Sequence, residues 1–467
     1  MAKKVMVIGL DAAAPQLLFE RWRNSLPNLN KLMKTGSFGP LESSDPPITC
    51  PAWMSMMTGK DAGSLGFYGF RNRKNYSYQE LSFVNSRWVK DDKVWDILNE
   101  SGKKSILLGV PQTYPPQELN GIMVSGFLTP GLKYDYTYPA IVKEEIKEAV
   151  GDYIFDVDRG DQDEELEQIY QMTEKRFKLA EHFLDTREWD FFMMVEMGID
   201  RIQHFFWEYF DQDHPSYQLD NKYEKAVYDY YKYVDEKIGR LLRYVDQDTL
   251  LLIVSDHGAQ KMTGGFAINE WLIEKGYLVL REDLEGVTPI EMAKIDWKRT
   301  KAWGYGGYYG RIFLNVAGRE PMGVIPLGDY DKFRDRLITE LEEIELEDEN
   351  INGDKSEATY LKNQVYKPEE IYTEINNIAP DLMVYFNDLE WRSIGNLGFD
   401  SYIIPSNKLQ PYSANHTKEG ICISNKKINR QNDNYIEGLD IREIASTVIG
   451  YLGIDIPADM QGKNIFD

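Results

Sequence analysis

The sequence has 2 cysteines in 467 residues, Cys50 and Cys422, too few for a disulfide framework. It has no Lys/Arg run, and 53 basic residues stand against 76 acidic ones, a formal net charge of −23. That balance argues against a protein built to neutralise nucleic-acid phosphates, which needs a concentrated basic face. No stretch approaches the ~18 to 20 apolar residues of a membrane span. The opening "MAKKVMVIGLDAAA" has an apolar run too short for a signal peptide, so the expected location is the cytoplasm. Internal repeats and low-complexity tracts are also missing. What remains is a globular composition, 42% hydrophobic, in a chain long enough for a large core. An acidic chain that handles anions needs local cations, and bound metal ions would serve.

Short apolar runs punctuate the sequence. "KKVMVIGLD", "KKSILLGV" (103–110), "WDFFMMVEM" (189–197) and "DTLLLIVSDHG" (248–258) read as buried parallel strands. Helical patterns separate them, including "SLPNLNKLMKTG", "DDKVWDILNESG", a polar stretch over 160–186 and "NKYEKAVYDYYKYVDEKIGRLLRYV". The alternation predicts an α/β fold with a mostly parallel sheet flanked by helices. Residues 1–258 and 412–467 are expected to form the core. Regularity weakens over 259–411, which holds the aromatic "KAWGYGGYYGRIFLN" and the acidic "ELEEIELEDEN". This region reads as an inserted cap or lid, with "RIFLNV" and "PDLMVYF" as candidates to rejoin the main sheet. The tail "DIREIASTVIGYLGIDIP" reads as a closing helix.

The 5 histidines are His182, His204, His214, His257 and His416. Asp256 and His257 end the best-defined strand. Asp200 and His204 are four apart in "EMGIDRIQHFFWEYF", a spacing that puts both on one helix face after another strand. Asp11 closes the first strand, where an N-cap is the plain alternative. His416 stands in "SANHTKEGI", by itself a loop histidine. Three aspartates and three histidines at one rim of a sheet suffice for two divalent ions, and the mixed donor set suits zinc, manganese or iron. Two ions ~4 Å apart stabilise both oxygens of an in-line phosphoryl displacement. His182 and His214 lack such a setting and read as helix-face and turn residues.

In "SDPPITCPAWMSMMTGK" (44–60), Thr49 and Cys50 are adjacent, and either could act as a nucleophile. From "VMVIGLD" through "PPITCPAWMSMMTGKDAGSLGF", "GIDRIQHFFW", "IVSDHG" and "NHTKEG" to "IASTVIGYLGIDIPADMQGKNIF", the chain resembles the alkaline phosphatase superfamily, most closely its type I phosphodiesterase/nucleotide pyrophosphatase branch. The resemblance implies a three-layer sandwich with an inserted cap. It implies one metal on Asp200, His204 and His416, and a second on Asp11, Asp256, His257 and the oxygen of Thr49, the nucleophile. The N-terminal amides of the helix after Thr49 would face the phosphate. Related sulfatases modify a Cys in a C-x-P-x-R context; "CPAWM" departs from it, leaving Cys50 as a small buried or wall residue. The Asn that contacts phosphate in nucleotide pyrophosphatases has no exact counterpart in "FYGFRNRKNY", so Arg71 and Asn72 are the candidates.

The implied activity is that of a phosphodiesterase/nucleotide pyrophosphatase, hydrolysing a small-molecule phosphate ester or nucleotide-type substrate through a phosphothreonyl intermediate. A phosphomonoesterase or phosphomutase, which Arg71 would favour, is the near alternative, and a non-catalytic metal-binding scaffold the remote one. Trp303, Tyr305, Tyr308 and Tyr309 offer stacking faces for a leaving group or, equally, the core of the cap.

Overall fold

The computed structural model describes residues 3–78, 80–346, 359–409, 412–428 and 433–467. The end of the acidic run, 347–350, lies outside them.

Nine strands form the central sheet: β1 (Lys4–Leu10), β2 (Ser37–Glu42), β3 (Ser105–Val110), β4 (Gly121–Ser125), β5 (Thr137–Tyr138), β6 (Phe191–Glu196), β7 (Thr249–Val254), β8 (Glu419–Ser424) and β9 (Leu439–Asp440). Their order is β9-β2-β8-β7-β1-β6-β3-β4-β5. The four strands legible as apolar runs stand side by side in parallel, β7-β1-β6-β3, with Val5 between Phe191 and Leu250. Every residue of β3, β6 and β7 is buried, which is why these segments are apolar without alternation. β8 returns late in the chain and runs antiparallel between β7 and β2, and β5 is an antiparallel edge.

Helices flank the sheet in two packed sets. Gln162–Thr186, Gly198–Phe210 and Ala226–Leu241 pack together, as do Thr49–Thr58, Val94–Glu100 and Glu443–Tyr451. Asp161 caps the long helix by accepting from the Glu164 amide, a capping box that explains its start.

The aromatic region has its own sheet and apolar cluster. Ala302–Tyr305, Gly310–Leu314, Leu382–Tyr385 and Gln364–Tyr366 form a four-stranded antiparallel sheet. The strands of "RIFLNV" and "PDLMVYF" therefore pair with each other and do not join the nine-stranded sheet. Their buried residues, Ile312, Leu314, Leu382 and Val384, pack on Trp271 and Trp303, far in sequence from the β1 core. Gly258–Lys261 meanwhile pairs antiparallel with Ala414–Thr417, setting Ala259 opposite His416. That ladder ties the turn after β7 to the returning chain, and it positions the site.

Candidate active site

Three adjacent strands deliver the site. Asp11 follows β1 directly, Asp256 and His257 follow β7, and the helix Gly198–Phe210 after β6 carries Asp200 and His204 on one face. Since β7, β1 and β6 are parallel neighbours, their carboxyl ends converge, the usual ligand position in such sheets. His416 arrives on the ladder just described.

The side chains meet. Asp200 Oδ1 lies 3.2 Å from His204 Nε2 and 3.7 Å from His416 Nε2. His257 Nε2 lies 3.2 Å from Asp256 Oδ2 and 3.7 Å from Asp11 Oδ1. Asp200, His204 and His416 form one group of donor atoms and Asp11, Asp200 and His257 another, each within 4.8 Å, with Asp200 common to both. Thr49 begins the helix Thr49–Thr58, and its Oγ1 is 3.5 Å from His257 Nε2. None of these seven residues is more than 3% exposed.

The proton positions can be read from the partners. Nδ1 of His204, His257 and His416 lies 2.9, 3.1 and 2.8 Å from the carbonyl oxygens of Ala414, Gly258 and Pro47. A carbonyl only accepts, so each ring carries its proton on Nδ1, and a neutral ring turns its Nε2 lone pair inward. Burial pushes the His257 imidazole down to about 4. Burial also depresses His416, helped by its histidine neighbours. Burial raises the Asp11 and Asp256 carboxyls well above the usual range, and nearby carboxylates add to it. Burial opposes the charge of Asp200 as well, but His204, when it carries a proton on both ring nitrogens, and the Arg201 guanidinium outweigh it and hold that carboxyl below the ordinary value. Asp11 Oδ1, Asp200 Oδ1 and Asp256 Oδ2 are buried without hydrogen-bond partners. Inward lone pairs beside orphaned carboxylate oxygens are what a bound cation satisfies, and the N/O donor set fits divalent transition metals.

Surrounding residues fix the cluster. Trp53 Nε1 donates to Asp11 Oδ2 at 2.7 Å, and Pro15, not Asp11, stands at the start of the next helix, so the plain N-cap alternative for Asp11 does not arise. Arg201 donates to Asp200 Oδ2 at 2.5 Å and to both oxygens of Asp156. Neither partner has a sequence signal, because Trp53 and Asp11 are 42 positions apart and Arg201 is hidden in an amphipathic helix.

Arg71 lines a cavity next to Ile48, with its guanidinium over the Phe83 ring. Asn72 is buried with both ends of its amide engaged in its own loop: Oδ1 accepts from the Tyr68 amide and Nδ2 donates to the Gly69 carbonyl. The aromatics divide. Trp303 is core, packed on Trp297 and Phe313, and the Tyr309 hydroxyl donates to the Tyr68 carbonyl inside the protein. Tyr305 lines the cavity, and Tyr308 stacks on the His416 ring with centroids 3.7 Å apart. Cys50 is fully buried, its thiol pushed up by burial and by the nearby Asp11 and Asp256. His182 pairs with Glu145, and buried His214 braces the backbone at Ser413 and Ser216.

The sequence matches the family described as type I phosphodiesterase / nucleotide pyrophosphatase over residues 5–414. No curated protein matches it. Among solved structures, human ectonucleotide pyrophosphatase / phosphodiesterase 5 is 13% identical, with 100% of this chain and 99% of that one covered and a TM-score of 0.57. Phosphonoacetate hydrolase from Sinorhizobium meliloti 1021, solved with phosphonoformate, is 11% identical over 97% of this chain and 96% of that one, TM-score 0.58. An inactive variant of the murine phosphodiesterase 5, in complex with AMP, is 13% identical over 97% and 96%, TM-score 0.52. At these identities the likeness is one of fold.

Proposed function

Because this chain belongs to the type I phosphodiesterase/nucleotide pyrophosphatase family, hydrolases of phosphoester bonds, we propose that it is a metal-dependent phosphodiesterase that works through Thr49. The observation that carries the reading is the place of Thr49 Oγ1, 3.5 Å from His257 Nε2 at the edge of the buried Asp/His cluster.

Asp200, His204 and His416 would hold one ion, and Asp11, Asp256, His257 and the Thr49 oxygen the other. Two divalent ions, with zinc the best match to this donor set, would favour the Thr49 alkoxide and offset charge on the attacking and leaving oxygens. The chain supplies the rest. Thr49 Oγ attacks phosphorus in line, the bond to the departing alcohol breaks, and a phosphothreonyl ester forms. Water then attacks that ester and restores the hydroxyl. The Thr49 and Cys50 amides lie in the first turn of their helix, where backbone donors lack intrahelical acceptors and suit a phosphate. Pro51 has no such donor to offer. Trp53 and Arg201 orient Asp11 and Asp200 so that one oxygen of each is left for a cation.

The substrate class is a small phosphodiester, with nucleotide-type compounds among the candidates; the inactive variant of the murine relative was solved in complex with AMP. A monoesterase or mutase is the second reading, and the position of Arg71 at the cavity wall favours it. The test is covalent trapping. After an acid quench during turnover of a diester, intact-mass analysis should find one added phosphoryl or phosphoester group on Thr49, absent in Thr49→Ala. Undiminished turnover by Thr49→Ala rules the reading out.

A further inference from the structure

A cavity of ≈630 Å³ opens beside the site, bounded by Ile48, the residue before Thr49, and by Tyr308, the ring on His416. Arg71, Arg311, Arg392 and Lys408 line it; among the described residues Glu291 is its one acid. In a chain of net charge −23 this is a local reversal of sign.

Three other buried or half-buried arginines are matched to acids: Arg73 to Glu320, Arg319 to Asp381, Arg334 to Glu369. Those of the cavity are not. Among the described residues no carboxylate forms an ion pair with Arg71, Arg311, Arg392 or Lys408. Among the described residues Arg311 donates to the carbonyl oxygens of Arg71 and Gly306. Arg392 is half-buried, with its guanidinium 5.7 Å from the Tyr412 ring centre. Arg311 also stands near the site: a β-carbon at Gly69 would lie 3.8 Å from Arg311 Nη1 and 3.9 Å from Ile48 Cδ1. Half-buried guanidinium groups with no carboxylate in ion-pair contact keep part of their desolvation cost, and an anion of matching fork geometry relieves it.

We propose that this cavity takes the non-reacting part of the substrate, and that Arg311 and Arg392 recognise a second anionic group there, a phosphate or a carboxylate. The preferred substrates are then phosphodiesters whose alcohol portion carries its own negative charge. The inference rests on the phosphodiesterase reading above and narrows its substrate class.

The test compares kcat/KM of the metal-loaded enzyme on three chromogenic diesters: methyl, 2-carboxyethyl and 2-phosphoethyl p-nitrophenyl phosphate. The wild type should favour the better anionic ester over the methyl ester by about 10-fold, the scale of one charge-assisted hydrogen-bonded pair. Arg311→Gln or Arg392→Gln should bring that ratio close to one, and Arg392→Lys should keep part of it. A wild-type ratio of one or less overturns the inference, with no variant needed. Equal losses on all three esters in the glutamine variants overturn it too, and assign the arginines to the reacting phosphate. Thr49-dependent release without preference sinks this inference alone; no Thr49-dependent release from any ester sinks the phosphodiesterase reading with it.

Discussion

His204 and His416 point their Nε2 atoms at each other across 3.1 Å, each with Nδ1 set against a backbone carbonyl. Two neutral imidazoles in this arrangement present lone pair to lone pair, with Asp200 Oδ1 beside both. A cation between them turns that repulsion into ligation. His204→Ala or His416→Ala should therefore reduce bound zinc from two ions per chain to one, read by elemental analysis of the purified protein. Zinc added to the metal-free wild type at 100 times the Kd of each site should stabilise the fold by about 2.7 kcal/mol per ion bound. A histidine variant that keeps both ions would refute the ligand assignment.

Thr49→Ala should lower kcat by about 10³-fold or more, as expected when a nucleophile is removed, while Thr49→Ser keeps an attacking oxygen and most of the rate. The proximity of Cys50 makes a control necessary. Cys50→Ala should retain activity, because its thiol is held protonated by burial beside Asp11 and Asp256. Steady-state rates on one diester settle both.

Trp53→Phe keeps the ring packed but removes the donor to Asp11 Oδ2. One buried carboxylate oxygen is then unsatisfied, at a cost of about 1–3 kcal/mol in stability. Metal affinity should fall by about 10- to 100-fold, as for other losses of a ligand's hydrogen-bond partner, measured by competition with a chromogenic chelator.

Metal-free stability should depend on pH in two opposed ways. His257 is neutral in the fold down to about pH 4 but protonates near 6.5 when unfolded, so its contribution falls as pH drops from 6.5 towards 4. Asp256 has the reverse sign: its folded pKa is raised above 3.8, so stability is present below that value and is lost as pH climbs through the raised one. Asp256→Asn should thus raise the Tm of the metal-free protein at pH 7. The new amide NH2 replaces Oδ2, 3.2 Å from His257 Nε2, and can donate to it. The same change should lower metal binding. Calorimetry with and without zinc separates the two effects, and a lower metal-free Tm contradicts the electrostatic account.

The strands that could be read directly, β1, β3, β6 and β7, are those buried on both faces, where sequence and environment match residue by residue. β2 escaped, since Ser37–Glu42 ("SFGPLE") holds a Gly and a Pro and finds its partner almost 400 residues later in β8. The strands Gly310–Leu314 and Leu382–Tyr385 were visible as strands but not in their pairing, because an apolar run does not say which sheet it joins. Of the Asp/His set, His416, read as a loop histidine and found within the strand Ala414–Thr417, entered only through the family resemblance, whereas Asp11, Asp200, His204, Asp256 and His257 were legible because each lies just after a strand. What holds the set in place was not: Trp53 under Asp11, Arg201 on Asp200 and Tyr308 over His416 are tertiary relationships with no local pattern. Asn72, one of two candidates with Arg71 for a phosphate contact, has its amide engaged with backbone groups of Tyr68 and Gly69.

The most direct test of the account is the ratio of kcat/KM on bis-p-nitrophenyl phosphate to that on p-nitrophenyl phosphate, with the protein loaded with two zinc ions. A diester preference of about 100-fold, roughly 2.7 kcal/mol of differential transition-state binding, is the predicted result. A monoester preference of similar size would contradict it and would mean that the pocket is built for a phosphate dianion, with Arg71 as a partner.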